Sequence, residues 1–226
     1  MPTVQNPTAL VMSDQRRRRI AEIARMNRVV VIEDDTYGFF APDAPPPITA
    51  RLERLGFYIT TLSKSVAPGV RIGYLRAPRS SIPGMANAMM ATTWMVSPIT
   101  AEMAAAWIED GAADAAVQWR RREARSRCDL AAKILGRNVA RAISSSALHF
   151  WMPLPAPWRA DEFVRQARMR GVILCRPELF VVGRASAPHA IRICLGATRD
   201  RETLKRALSL IDSLLKMEQP QSAAAL

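Results

Sequence analysis

One lysine in the chain stands where a lysine is useful for chemistry. Lys64 follows an apolar, β-branched run and lies between two serines, and Arg71 comes seven residues later, beyond a Pro-Gly turn. A lysine amine condenses with an aldehyde only when it is deprotonated, and a nearby cation favours that form. Arg71 could also grip a phosphate through two nitrogens, with the hydroxyls of Thr61 and Ser63 as further donors. A lysine imine beside a phosphate site suggests pyridoxal phosphate.

A carboxylate, a phenol and an amide could complete such a site. Pyridoxal phosphate needs a carboxylate against its pyridine nitrogen. Asp34 ends an apolar segment that is predicted to be a strand, at the edge where open α/β sheets gather ligand groups. Tyr37 follows three residues later, and Asn6 is held away from helical conformation by the proline after it. Both could donate to the ring hydroxyl, whereas Glu33 and Asp35 are interpreted as strand-end and loop charges.

The composition is that of a globular chain with a core. The 226 residues are 49% hydrophobic and 23% charged, and the net charge of +12 raises nucleic acid as a partner. The arginine-rich runs 16–19 and 120–127 lie in helical patterns without interleaved aromatic residues. We therefore interpret both runs as solvated helix faces rather than nucleic-acid contacts.

The cysteines and the start of the chain favour a cytoplasmic protein. Cys128, Cys175 and Cys194 are far apart, their odd number argues against a closed disulfide framework, and their spacing predicts no metal site. The first residues lack the charged head and apolar core of a secretory signal. The uncharged stretch 85–101 contains several polar residues, which make it less hydrophobic than a membrane-spanning helix. We therefore expect no membrane segment.

Alternating elements predict the α/β class with a mainly parallel sheet. Helices are expected near 13–26, 48–55, 82–92, 98–110, 112–134, 160–170 and 201–216, and strands at 29–33, 57–61, 71–75, 147–154, 172–174 and 190–195. The first strand reads as one that is buried on both faces. We expect part of a large domain at 1–120, a long helix and a smaller α+β domain at 121–218, and a flexible tail at 219–226.

Four motifs together resemble a known family. They are Gln5-Asn6-Pro7-Thr8, Glu33-Asp34-Asp35-Thr36-Tyr37-Gly38, Thr61-Leu62-Ser63-Lys64 with Pro68-Gly69-Val70-Arg71-Ile72-Gly73-Tyr74, and Ile191-Arg192-Ile193. In this order and spacing the chain resembles the class I and II aminotransferases of pyridoxal-phosphate fold type I. More narrowly, it resembles the aminotransferase-like domain of MocR-type transcriptional regulators of the GntR family.

The resemblance implies a role for each candidate residue. Lys64 would hold the cofactor as an internal aldimine and act as the general base. Asp34 would pair with the pyridine nitrogen, and Tyr37 and Asn6 would hydrogen-bond the ring oxygen. The phosphate would be held by the groups of the lysine turn, namely Arg71, Thr61 and Ser63.

The substrate side of the site is implied to be an arginine and an amide. Arg192 would bind the α-carboxylate of an amino acid, and Asn6 would also face the substrate. A structural ion pair is the alternative for Arg192, because an arginine between Ile191 and Ile193 needs an anionic partner if it is buried. Amino acids and keto acids would be the ligands, and the family implies a homodimer.

The chain departs from the family in two ways. Ala9 stands where the family motif usually has glycine, and some regulator-like members vary there. The family fold also begins a long way before the Asn-Pro segment, so we expect this chain to be a carboxyl-terminal part that lacks the first half of its site. DNA would then be contacted only through a winged helix that this chain does not contain.

Three functions remain open at the level of the sequence. The first is a transaminase that moves an amino group between an α-amino acid and an α-keto acid. The second is the effector domain of a MocR-type regulator, which binds the cofactor without turnover. The third is a truncated remnant. The sequence upstream of this segment would separate the first two.

Overall fold

The chain divides into two compact units. Unit 1 comprises Met1–Asn6 and Leu10–Arg121, and unit 2 comprises Pro7–Ala9 and Arg122–Leu226. The computed structural model describes residues 1–136 and 147–217, so the predicted tail at 219–226 lies outside the described residues. No helix in these described stretches combines the length and the apolar character that a membrane crossing needs.

Unit 1 is built from short strands and helices in alternation. Ser13 caps its first helix, because its side chain accepts a hydrogen bond from the amide of Arg16. In chain order the elements are α1 (Asp14–Met26), β1 (Val31–Asp34), β2 (Gly56–Thr61), α2 (Leu62–Ser65), β3 (Gly73–Arg76), α3 (Ile82–Thr92), α4 (Pro98–Glu109) and the first part of α5 (Ala112–Leu135), whose residues from Arg122 onwards belong to unit 2. Short 3₁₀ turns lie at Gly38–Phe40, Ile48–Arg51, Pro68–Val70 and Arg79–Ser81.

The sheet of unit 1 has the order β1-β2-β3. β1 and β2 are parallel, as predicted, with Asp34 opposite Ile59. β3 runs antiparallel to β2, with Gly73 opposite Thr61. This direction differs from the mainly parallel sheet that the sequence predicted. The reason is the link between β2 and β3, which holds only α2 and one 3₁₀ turn, whereas a parallel return needs a crossover of about a dozen residues or more.

The core of unit 1 covers one face of β1. Val31 packs on a cluster formed by α1 and the segment before β2: Ala21, Ala24, Ile48 and Leu52. On the opposite face Ile32 is 69% exposed. The prediction that this strand is buried on both faces is therefore wrong within the described structure, because side chains alternate between the two faces and α1 packs on only one.

The arginine-rich runs are not uniformly solvated. Arg16, Arg18 and Arg19 are exposed, but Arg17 is only 1% exposed. Its guanidinium donates to the carbonyls of Met12 and Pro2, at 3.0 Å and 3.1 Å, and lies 4.0 Å from the Glu33 carboxylate. The prediction of a solvated face is wrong for Arg17, because it is on the side of α1 that faces the core.

Unit 2 packs two helices and the end of α5 around a two-stranded sheet. Its elements are β4 (His149–Pro153), α6 (Ala160–Met169), β5 (Ala190–Cys194) and α7 (Arg201–Lys216). β4 and β5 are antiparallel, with Trp151 opposite Arg192. The strand predicted at 172–174 does not form in the described structure, because the backbone of this segment meets β5 only through a single bridge between Cys175 and Arg192. The core is large and apolar, and includes Phe150, Phe163, Ile191, Leu208 and Ile211.

A charged cluster ties the loop after β5 to α5. Arg127 is buried and donates to the carbonyls of Leu195 and Thr198, at 2.9 Å and 3.0 Å. Glu123, one turn earlier, accepts from Arg127 at 2.7 Å and from Arg201 at the start of α7. The hydrogen bond from Arg201, together with the one from Arg127, lowers the pKa of Glu123 to about 2 from an ordinary value of 4.5. The arginine run 120–127 is thus partly structural.

The lowered pKa makes Glu123 a source of acid sensitivity. Because the folded-state pKa is depressed, the stabilisation is full above pH 4.5 and is lost as the pH falls towards 2. We expect Glu123→Gln to be less stable than the wild type at pH 7 and the difference to shrink between pH 4.5 and 2. Urea unfolding midpoints at pH 7, 4 and 2.5 measure this. Glu202→Gln, on an exposed residue of α7, should show a small difference that stays constant, and a constant difference for Glu123→Gln would contradict the assignment.

Candidate functional site

The strand register gathers the candidate residues of unit 1 at one edge of the sheet. Asp34 is the last residue of β1, and the parallel partner β2 ends just beyond it at Thr61, from which the chain turns into α2 with Lys64. The antiparallel β3 begins opposite Thr61, so Arg71, two residues before β3, returns to the same edge. The end of β1 and the distant segment that links β2 to β3 therefore meet where α/β sheets bind ligands.

Asp34 is oriented by a residue that the sequence reasoning did not single out. Thr36 donates to Oδ1 of Asp34 from its amide at 2.9 Å and from its hydroxyl at 2.6 Å. In this Asx turn the same carboxylate oxygen accepts both hydrogen bonds. Among the described residues no other group donates to Asp34, so Oδ2 can accept a hydrogen bond from a ligand. An Asx turn is a local pattern, and the Asp-x-Thr spacing was the signal for it.

Lys64 lies on a single helical turn directly after β2. Its side chain is exposed, whereas Leu62, Ser63 and Ser65 around it are buried. The buried neighbours fix the turn, because Leu62 packs with Val70 and Ile72 in a small apolar cluster. The side chain of Lys64 is therefore exposed at the sheet edge, while the buried residues around it hold its backbone in place.

The hydroxyls before Lys64 stabilise the turn. Thr61 caps α2 by accepting from the Ser63 amide at 3.1 Å, and its hydroxyl donates to the carbonyl of Ile72 at 2.7 Å. A hydroxyl has only one proton to donate. In this structure Thr61 donates that proton to Ile72, the residue before β3, and so connects the turn to β3. Its role at a phosphate stays a prediction. The Ser63 hydroxyl lies 3.0 Å from that of Thr61.

Arg71 approaches the edge in an unusual conformation. Its φ of 56° places it in the left-handed region, which non-glycine residues adopt at a cost in backbone energy of about 1 kcal/mol or more. The strained residue follows the 3₁₀ turn at Pro68–Val70, and its side chain is exposed. Buried Val70 and Ile72 on either side hold the backbone in place.

Glu33 and Asp35, which flank Asp34, are buried beneath the edge. Oδ2 of Asp35 accepts from the Tyr58 hydroxyl at 2.7 Å, and Glu33 accepts from the Thr49 amide and hydroxyl at 2.8 Å and 2.7 Å. Burial raises the pKa of the Asp35 carboxyl, against an opposing contribution from the Tyr58 hydrogen bond. Burial and the bond to Asp35 also raise the pKa of Tyr58. The two residues interpreted from the sequence as strand-end and loop charges are therefore buried and hydrogen-bonded within the protein.

The remaining candidates are Tyr37, Asn6 and Arg192. Tyr37 precedes the 3₁₀ turn after β1, and its ring lies 6.5 Å from that of Phe40. Asn6 is half-buried at the end of the first segment of unit 1. Arg192 is on β5 of unit 2, where its guanidinium lies 5.5 Å from the ring centre of Phe180. The roles of these three residues stay predictions.

The family was decided by comparison with known proteins. The model of the family described as aminotransferase class I and II matches residues 1–211. The chain belongs to the class I and II aminotransferases. Its similarity to solved aminotransferase structures agrees with this. LysN of Thermus thermophilus, an α-aminoadipate aminotransferase determined with N-(5′-phosphopyridoxyl)-L-leucine, superimposes with a TM-score of 0.83 over 96% of this chain and 57% of that chain, at 21% identity. At that identity the likeness shows the fold.

Relatives in sequence include proteins that are named as transcriptional regulators. YdeF of Bacillus subtilis, named as an uncharacterised HTH-type transcriptional regulator, is 28% identical over 95% of this chain and 46% of its own length. YisV of the same organism, with the same kind of name, is 36% identical over 61% of this chain and 29% of its own length. This member of the aminotransferase family therefore spans about half, or less, of the length of these relatives.

The close contact between Gly38 and Asp35 gives a direct test of the packing beneath the site. A Cβ at Gly38 would lie 2.1 Å from Oδ2 of Asp35. We expect Gly38→Ala to force the carboxylate away from Tyr58 and to lower the free energy of unfolding by about 1–3 kcal/mol. Urea unfolding measures the loss. Gly84→Ala in α3, where a Cβ meets nothing within 4 Å, is the control. Equal stability of the two variants would show that Asp35 is not held as described.

Proposed function

We propose that the chain is a pyridoxal-phosphate-binding, aminotransferase-like domain in which Lys64 holds the cofactor. The observation that carries this proposal is the convergence of an exposed lysine, a carboxylate and an arginine at one sheet edge. Strand pairing brings Asp34 to the same edge as Lys64 and Arg71, which are distant from it in the sequence. Membership of the aminotransferase family supports the same conclusion.

The chemistry of the residues present fits this cofactor. The aldehyde of the cofactor requires an accessible amine, and the side chain of Lys64 is exposed. The pyridine nitrogen requires a carboxylate oxygen, and Oδ2 of Asp34 can serve because Thr36 donates only to Oδ1. The phosphate requires cationic and hydroxyl donors, for which Arg71 and Ser63 are the candidates. Tyr37 and Asn6 are proposed to donate to the ring oxygen.

The proposed chemistry divides between the cofactor and the chain. When bound, pyridoxal phosphate withdraws electrons from the α-carbon of an amino acid. Asp34 would keep a proton on the pyridine nitrogen, and the amine of Lys64 would take and return the α-proton. Arg192 would bind the α-carboxylate, with the planar fork that suits a carboxylate. The ligands would be an α-amino acid and an α-keto acid.

A regulatory role is the second candidate, and a specific observation favours it. Both YdeF and YisV are named as HTH-type transcriptional regulators, and the match to YdeF covers 95% of this chain. In that case the same site would bind the cofactor and an amino acid as a signal, and DNA would be contacted by another domain. We also propose a homodimer, which the family resemblance implies. A cytoplasmic location is proposed as well, supported by the odd number and wide spacing of Cys128, Cys175 and Cys194 in the sequence.

The first test addresses Lys64. We expect the chain incubated with pyridoxal phosphate to develop a visible absorbance band, and borohydride reduction to fix the cofactor on Lys64, as read by intact mass and peptide mapping. Lys64→Ala should lose the band and the specific label, because the amine that forms the bond is gone. Lys133→Ala, at an exposed lysine of α5, should keep both. Undiminished labelling of Lys64→Ala would refute the assignment.

A second experiment separates turnover from sensing. The cofactor-loaded chain is given an amino acid and an α-keto acid acceptor, and the keto-acid product is measured over time. A regulatory role predicts a spectral response to the amino acid without sustained product release, because binding a signal requires no turnover. Steady turnover that depends on Lys64 would instead establish the enzyme.

A further inference from the structure

We propose that Arg120 and Arg121, two neighbouring residues of α5, are positioning residues for the candidate site. Arg120 holds the turn that carries Lys64, and Arg121 holds the turn that follows Asp34 and Tyr37. The two turns are thereby fastened to one helix. The functional part of this inference rests on the proposed cofactor site, whereas the fastening itself does not.

Arg120 donates hydrogen bonds to the end of α2, the turn that carries Lys64. Its Nε and Nη2 lie 3.2 Å and 2.7 Å from the carbonyl oxygen of Val66, two residues after Lys64. The last carbonyls of a helix have no partner within the helix. A helix as short as α2 is also marginal by itself, since helix formation has a costly nucleus. The two-pronged bond from Arg120 therefore supplies a fixed point at the end of α2.

Arg121 makes the corresponding contact with the other turn. Its Nε donates to the carbonyl oxygen of Phe39, which is in the 3₁₀ turn at Gly38–Phe40. Tyr37 caps that turn, and its carbonyl accepts from the Phe40 amide at 3.0 Å. Arg121 is half-buried, as is Arg120. A charged donor that is partly removed from water makes a stronger hydrogen bond than a solvated one.

The geometry of a helix explains why neighbours can serve two turns. Successive side chains on a helix point about 100° apart, so adjacent arginines reach in different directions from one rigid support. The acceptors in both contacts are backbone carbonyls, so each arginine fixes the course of the chain rather than a single side chain. The spacing of Lys64 from Asp34 and Tyr37 then depends on α5 as well as on the sheet.

The test compares three substitutions on the same helix. Arg120→Met and Arg121→Met remove the guanidinium and keep most of the stem, and Arg122→Met makes the same change at the adjacent, exposed arginine. Amide hydrogen exchange is measured on the cofactor-free chain. We expect Arg120→Met to speed exchange at Val66 and Ala67, and Arg121→Met to speed it at Phe40 and Ala41. The expected factor is on the order of tenfold, as for the loss of a hydrogen bond from a charged donor. Arg122→Met should change neither turn.

Two further measurements distinguish a positioning role of Arg120 at the candidate site from a contribution to the stability of unit 1 as a whole. Arg120→Lys retains one donor and should recover part of the protection at Val66. With pyridoxal phosphate, Arg120→Met should weaken the Lys64-dependent binding by about tenfold, with Arg122→Met at the wild-type value. Exchange that is unchanged, or that rises equally throughout unit 1, overturns the inference, as does wild-type cofactor affinity in Arg120→Met. If the wild type takes up no cofactor, the proposed function fails, and the exchange results still decide whether the arginines hold the turns.

Discussion

The site of unit 1 depends on one constraint, the register of β2 against its two neighbours. β2 pairs in parallel with β1 and antiparallel with β3, so the end of β1, the end of β2 and the start of β3 share one edge. Asp34, Lys64 and Arg71 occupy those three positions. A shift of one residue in either pairing would reverse the faces of the strand and move these side chains apart. The short link through α2 enforces the antiparallel return of β3, and with it the place of Arg71.

Buried charge beneath the edge makes that register specific. Arg17 and Glu33 are nearly inaccessible, and burying such groups is costly unless their hydrogen bonds are made inside the protein. Arg17 satisfies its guanidinium on backbone carbonyls and Thr3, and Glu33 satisfies its carboxylate on Ile48 and Thr49. These contacts join the first residues, α1 and β1 to the segment before β2. A different register would leave the charges unpaired.

The aminotransferase fold explains the layout of the site but does not choose between enzyme and sensor. Both functions need an amine, a carboxylate and a phosphate grip at the same edge, and both fit a chain that is related to regulators over most of its length and to LysN in its fold. What distinguishes them is the fate of the amino acid after it has bound. The turns that carry Lys64 and Tyr37 are tied to α5, so the precision of the site is a property of unit 1 as a whole.

The sequence by itself was enough to predict the family and the longer helices, and it supplied the candidate residues. Lys64, Asp34 and Arg71 stand in motifs whose local pattern is readable, and the helix at Arg201–Lys216 follows its apolar periodicity to the residue. The tertiary structure alone decided the direction of β3, the exposure of Ile32 and the burial of Arg17, Glu33 and Asp35. It also decided the contacts of Arg120 and Arg121 with carbonyls 54 and 82 residues away. Charge and periodicity describe a residue's neighbours in the chain, whereas burial and pairing depend on which distant segment packs against it.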